Sequence, residues 1–202
     1  VGYLLNFSSM VWVLRKYGFG SVSSTFGALI FTFSLTVLHH QAHSQLLYRF
    51  PLPVAMLCLD RFTLSYSPKW LAGALLSIAW QFYCSIYMGY LGSLFLLSFI
   101  ILLVFLRRRS LERTLLESAG LTHLVNFVLS ALFLVALYLL FYPYIIESLG
   151  GMKNPVSIVK SMLPTPFSYV FAPSSSILVG ALGEQFSSPY KGEHVMYVGI
   201  LP

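Results

Sequence analysis

Charge is the scarcest property of this chain. Asp, Glu, Lys and Arg make up 9% of its 202 residues, against roughly a quarter in a soluble globular domain. That shortage excludes a fully solvated surface. Acid is scarcer than base, with 6 Asp and Glu against 12 Lys and Arg, and Asp60 is the first acidic residue and the sole aspartate. Cysteine is limited to Cys58 and Cys84. Both lie in apolar runs without CxxC or Cys/His spacing, so they are expected to be packing residues and not disulfide or zinc partners. GxGxxG, Walker, GxSxG and CxxC signatures are absent, as is any repeat of fixed period. A soluble enzyme has no motif to rest on.

What the chain has in quantity is apolar sequence: 57% hydrophobic residues and a mean hydropathy of +0.80. The expected fold is all-α, a polytopic transmembrane helical bundle. The chain opens at Val1 inside one apolar run and closes at Leu201 and Pro202 as another starts, so it is read as a piece of a longer protein. Apolar periodicity and length place about six spans near residues 1–14, 22–38, 46–62, 70–86, 88–106 and 121–145. Pro51 and Pro53 mark a helix start, since proline fits the first turn. The run from Trp70 to Leu106 is too long for one crossing at 1.5 Å per residue, so a hairpin turn is expected near Ser85 to Gly92. Residues 110–119 read as a short cytoplasmic surface helix, with Ser110 as its N-cap. Residues 147–193, rich in Pro, Ser and Gly, form a long extracytoplasmic loop, and 194–202 begin a further span.

The net charge of +6 does not make nucleic acid a partner, because basic residues in such a chain report topology and attraction to anionic headgroups. On the expected spans Arg15, Lys16, Arg61, Lys69, Arg107, Arg108, Arg109 and Arg113 fall on one side. Arg49, Lys153, Lys160 and Lys191 fall on the other. The positive-inside rule makes the first side cytoplasmic. The polar stretch His39-His40-Gln41-Ala42-His43-Ser44-Gln45, the Ser85 to Gly92 turn and the long loop then share the outer face.

Candidate binding residues follow from that co-location. A phosphate at headgroup level needs cationic or donor groups, which Arg49, His39, His40 and His43 supply, with Gln45 and Gln81 placed to donate to hydroxyls. Tyr87 and Tyr90 would stack on a ring or flank a chain, and interface belting explains them as well. Lys153, Lys160 and Tyr169 would close over a ligand if the long loop is a lid, and a plain solvated loop accounts for them equally. The histidine cluster also has a plain role, capping and solvating a helix end. His39 and His43 would share one helix face, as two imidazoles on one metal must. No HExxH pattern or nearby carboxylate completes such a set, so no metal site is assigned. Asn6-Phe7-Ser8 matches a glycosylation sequon but lies in an apolar run and is set aside.

Leu14-Arg15-Lys16-Tyr17-Gly18-Phe19-Gly20, Gly27 to Ser34 and the His/Gln cluster together resemble bacterial multi-spanning proteins of the GT-C glycosyltransferase type. Pro51 to Arg61, Gln81 to Gly89, Phe167 to Ser174 and Tyr197 to Pro202 resemble the same proteins, so the likeness covers nearly the whole chain through soft patterns. It implies transfer of a sugar from a polyprenyl-phosphate carrier to a lipid, glycan or protein acceptor at the outer face of a bacterial inner membrane. Partners would be membrane lipid and the polyprenyl-phosphate-linked donor. The family's catalytic acid lies in its first outer loop; here Asp60 falls on the cytoplasmic side, so the general base is expected upstream of Val1. No cofactor is expected in these residues, and a divalent metal would belong to the longer protein. A transporter or flippase for a lipid-linked or small polar substrate is the rival class, and a non-catalytic structural membrane protein is a third.

Overall fold

The computed structural model describes residues 1–33 and 47–149. These residues form α-helices and no strand: α1 (Gly2–Lys16), α2 (Ser21–Phe33), α3 (Pro51–Ser65), α4 (Pro68–Cys84), α5 (Ile86–Glu117) and α6 (Gly120–Leu149). Each boundary has a local cause. Helix α1 carries Arg15 and Lys16 in its last turn, where cations oppose the negative end of the helix dipole. It closes on a Schellman motif: Gly18 takes φ 90°, the Phe19 amide bonds the Leu14 carbonyl at 3.1 Å and the Gly18 amide bonds the Arg15 carbonyl at 3.1 Å. The Arg15 guanidinium fastens the turn by donating to the Phe19 carbonyl at 3.1 Å and to Ser21 Oγ at 3.2 Å.

Helices α3 and α4 both start on proline, which lacks the amide hydrogen that the first turn leaves unused. Tyr66 ends α3 in the left-handed region at φ 49°. It is held there from α6, where Asn126 Nδ2 donates to the Tyr66 carbonyl at 3.1 Å and the His123 ring nitrogen Nδ1 lies 3.2 Å from the Tyr66 hydroxyl.

Side-chain meetings fix how the helices run. Tyr3 stacks on Phe33 at 5.4 Å and Leu14 packs on Gly27, so α1 and α2 are antiparallel. Asn6 meets Leu47 and Arg61 reaches the Lys16 carbonyl, so α3 runs parallel to α1. Cys58 abuts Gly73, while Gln81 bonds Tyr48, so α4 is antiparallel to α3. Leu52 touches Gly92 and Asp60 pairs with Arg107, which returns α5 parallel to α3. Phe82 meets Phe141 at 5.3 Å and Tyr66 meets His123, so α6 runs with α4. The core is the α3, α4 and α5 junction, built on Ala55, Cys58, Leu59, Ala74 and Leu96. Small residues at that junction let backbones approach closely.

Several expected boundaries move. Among the described residues only α5 and α6 are long and apolar enough to cross a membrane; α1, α3 and α4 have 15, 15 and 17 residues, short of the roughly 20 a crossing needs. The expected 46–62 span loses its start because helix begins only at Pro51. The turn expected over Ser85 to Gly92 is Ser85 alone, extended at φ −163° and ψ 122°, with its Oγ accepting from the Met88 amide at 3.3 Å. Gly89 and Gly92 are instead contact points inside α5: a Cβ at Gly89 would strike the Phe82 ring and backbone, and one at Gly92 would strike Leu52. The separate 110–119 surface helix is the end of α5, bent at Arg107, whose φ −114° and ψ 17° break the helical run. Ser110 is therefore interior, and the charge pair on that segment is Arg108 with Glu112 at 3.0 Å. The expected outer loop and final span lie outside the described residues from 150 onward.

Candidate functional site

Asn6, Thr32 and Gln81 are buried at one end of the bundle, around the non-helical residues 48–50. Asn6, 0% exposed on α1, donates from Nδ2 to the Leu47 carbonyl at 2.6 Å and accepts the Arg49 amide on Oδ1 at 3.0 Å. Gln81, 1% exposed on α4, donates from Nε2 to the Tyr48 carbonyl at 2.9 Å. Two buried amides thus supply backbone partners that Leu47 to Arg49 would have had in a helix. An unpaired buried amide or carbonyl costs about 1–3 kcal/mol, which is why this irregular backbone needs them.

The held segment presents Arg49. Its Nη2 donates to the Phe31 carbonyl at 2.9 Å, and its guanidinium carbon lies 5.2 Å from the centre of the Phe31 ring, a cation–π distance. No carboxylate pairs with it among the described residues. Among the described residues its buried Nε has no partner, and neither do Gln81 Oε1, Thr32 Oγ1 and Tyr3 Oη. A planar guanidinium anchored through one nitrogen keeps other donors for an oxyanion, above all a phosphate or carboxylate.

Of the sequence-predicted residues, the structure brings Arg49 and Gln81 together through Tyr48. Tyr87 and Tyr90 sit on the first turns of α5 at the same end, 77% and 60% exposed, on the outside of the bundle. His39, His40, His43, Gln45, Lys153, Lys160 and Tyr169 lie outside the described residues. Sequence reasoning missed Asn6. Its signal was an amide in the middle of an apolar run, which must find hydrogen bonds if it is buried.

The opposite end is the basic one. Arg107 Nη2 lies 2.8 Å from Asp60 Oδ1, and its Nη1 donates to the Asp60 carbonyl at 3.2 Å and to Thr63 Oγ1 at 2.9 Å. Arg61 Nη2 donates to the Lys16 carbonyl at 3.2 Å, and Lys69 lies over the Trp70 ring at 5.5 Å. Among the described basic residues, Arg49 stands apart from this set at the far end of α3. The Asp60 carboxylate therefore serves an ion pair and lies at the wrong end to act on a ligand at Arg49.

Tyr17 lies in the α1–α2 turn at the basic end. Burial first, and the negative Asp60 carboxylate second, push its phenol up to about 12. A folded-state value above the unfolded one, about 10, contributes stability that is complete below pH 10 and lost as pH rises through 12. The parent chain is expected to lose stability more steeply than Tyr17→Phe over that window, in unfolding curves followed by circular dichroism. Equal slopes would show that the turn opens before the phenol ionises.

No family model, curated protein or solved structure matches this chain.

Proposed function

We propose that the chain is a multi-pass integral membrane protein of the bacterial inner membrane, and that it supplies the donor-binding rim of a GT-C-type glycosyltransferase. The donor is a polyprenyl-phosphate-linked sugar, and the acceptor a lipid, glycan or protein. Support for membrane residence comes first from α6, whose Phe127, Leu132, Leu134, Val135 and Leu139 are all exposed. Water does not tolerate so continuous an apolar surface, whereas hydrocarbon does. The alternating helix directions and the basic end agree with a bundle oriented by the positive-inside rule.

The observation that carries the transferase proposal is Arg49: a half-buried cation without a carboxylate, seated at the end opposite the basic collar and held there by Asn6 and Gln81. A charge in such a place is retained for a ligand. Its guanidinium would hold the donor phosphate while the carrier chain lies along the exposed apolar helices. The general base comes from outside these residues.

The test uses the full-length protein in proteoliposomes with a polyprenyl-phosphate-linked sugar. Arg49→Ala is expected to reduce turnover by roughly 100-fold, the scale of losing a charge clamp on a reacting phosphoryl group, with Arg49→Lys recovering part of it. Full turnover in Arg49→Ala would remove the rim from the site.

One observation favours a transporter or flippase as the second reading: irregular backbone at residues 48–50, satisfied by buried Asn6 and Gln81, is the kind of interrupted segment that transporters place at their substrate site. Movement of a fluorescent polyprenyl phosphate between leaflets without sugar transfer would decide for it.

A further inference from the structure

We propose that the cleft between α1, α3 and α4 at the basic end is a binding site for an anionic phospholipid of the cytoplasmic leaflet, its phosphate on Lys16 and Arg61 and its acyl chain between Trp12 and Trp70. The proposal rests on the membrane placement given above and concerns a site separate from Arg49.

The cleft encloses about 410 Å³, within the usual size of ligand sites. Its walls divide by chemistry. Trp12, Leu57, Leu64 and Trp70 form an apolar side, and Lys16, Arg61 and Ser65 form a polar one. Among the described residues no carboxylate lines it. Asp60, next to Arg61 in sequence, is occupied by Arg107 at 2.8 Å. Arg61 is fixed by its bond to the Lys16 carbonyl, which holds the two cationic residues side by side and leaves further guanidinium donors unspent. Two cations without a counter-charge call for an anion, and the adjoining tryptophan-walled surface calls for hydrocarbon. A phospholipid carries both. Tryptophans at the mouth of such a cleft occupy the level where indoles favour the headgroup boundary, on the face to which the basic collar assigns anionic lipid.

The three tryptophans provide the test, because Trp80 lies at the other end of α4 and is exposed. The full chain is reconstituted in phosphatidylcholine bilayers with a small fraction of dibrominated phosphatidylglycerol or dibrominated phosphatidylcholine, bromine being a contact quencher of indole. In a Trp80→Phe background, which reports on Trp12 and Trp70, the glycerol lipid is expected to quench with about tenfold higher apparent affinity than the choline lipid. Lys16→Gln with Arg61→Gln should abolish that preference while helical content is kept. If that pair of changes unfolds the chain, the headgroup comparison in the Trp80→Phe background decides alone.

Equal quenching by both lipids would overturn the site. Inorganic phosphate added in excess at matched ionic strength should leave the glycerol lipid bound; displacement by it would assign the cleft to a free anion and overturn the lipid. A Trp12→Phe, Trp70→Phe background isolates Trp80, which any bilayer placement exposes to both brominated lipids. Absence of all quenching there would overturn the membrane placement and this proposal with it, whereas quenched Trp80 with no headgroup preference at the cleft would overturn the proposal alone.

Discussion

Replacing Arg107 with alanine is expected to destabilise the bundle by about 3 kcal/mol. The partner left behind is a carboxylate with only 8% of its side chain exposed, and an uncompensated buried charge costs roughly 3–5 kcal/mol. The value is placed at the low edge because Arg107 itself is 27% exposed, so water reaches one side of the pair. Thr63 Oγ1 and the Asp60 carbonyl lose a donor in the same step. The pair also ties α3 to α5 at the point where α5 bends, so the loss should appear as cooperative unfolding and not as local fraying. Unfolding in detergent micelles, followed by far-ultraviolet circular dichroism, measures it. Asp60→Asn combined with Arg107→Ala should recover most of the loss, since the charge that made the vacancy expensive is gone. If the double variant is as unstable as Arg107→Ala, the packing of the arginine stem holds the helices and the ion pair does not.

Asn6→Leu is expected to cost about 2–4 kcal/mol and to release the segment that carries Arg49. Leucine repeats the branching of asparagine at Cγ, is larger and has greater affinity for an apolar surrounding, so a purely apolar role for position 6 would make the change close to neutral once the extra volume is repacked. The structure predicts the reverse, because the Leu47 carbonyl and the Arg49 amide each lose their side-chain partner at about 1–3 kcal/mol apiece when buried. Hydrogen exchange supplies a second readout: the Arg49 amide should exchange much faster in Asn6→Leu than in the parent chain. Gln81→Leu should speed exchange less, because Gln81 receives no amide and its one bond runs to the Tyr48 carbonyl. Unchanged exchange at Arg49 in Asn6→Leu would mean that neighbouring packing holds the segment without the amide clamp.

Much of this molecule was open to inspection before any coordinates. Apolar abundance and scarcity of charge demanded helices, since runs as long as those flanking Arg107 satisfy their own backbone bonds only that way. Pro51 announced the start of α3, Gly18 the turn after α1, and the basic residues their common end. Arg49 was singled out as a cation for a phosphate and Gln81 as a donor to hydroxyls, and the structure sets both against the same backbone segment, Gln81 through the Tyr48 carbonyl. The errors share one cause, which is that hydropathy measures how greasy a run is and not where its helix begins or bends. Gly89 and Gly92 looked like a turn from their composition, whereas Phe82 and Leu52 require them as clearance inside a helix. Arg107 looked like the end of a span, whereas its reach to Asp60 bends a helix that then continues to Glu117.

Sequence alone determined that the described residues are helical with one strongly basic end, because backbone self-satisfaction and charge placement are local properties. Tertiary structure decided which polar groups meet. Asn6 stands 43 residues from the Arg49 amide it accepts, and Asp60 stands 47 from Arg107, which donates to its carbonyl. Partners so far apart are selected by how helices pack, and packing depends on where small residues let backbones close, which periodicity along one helix does not specify.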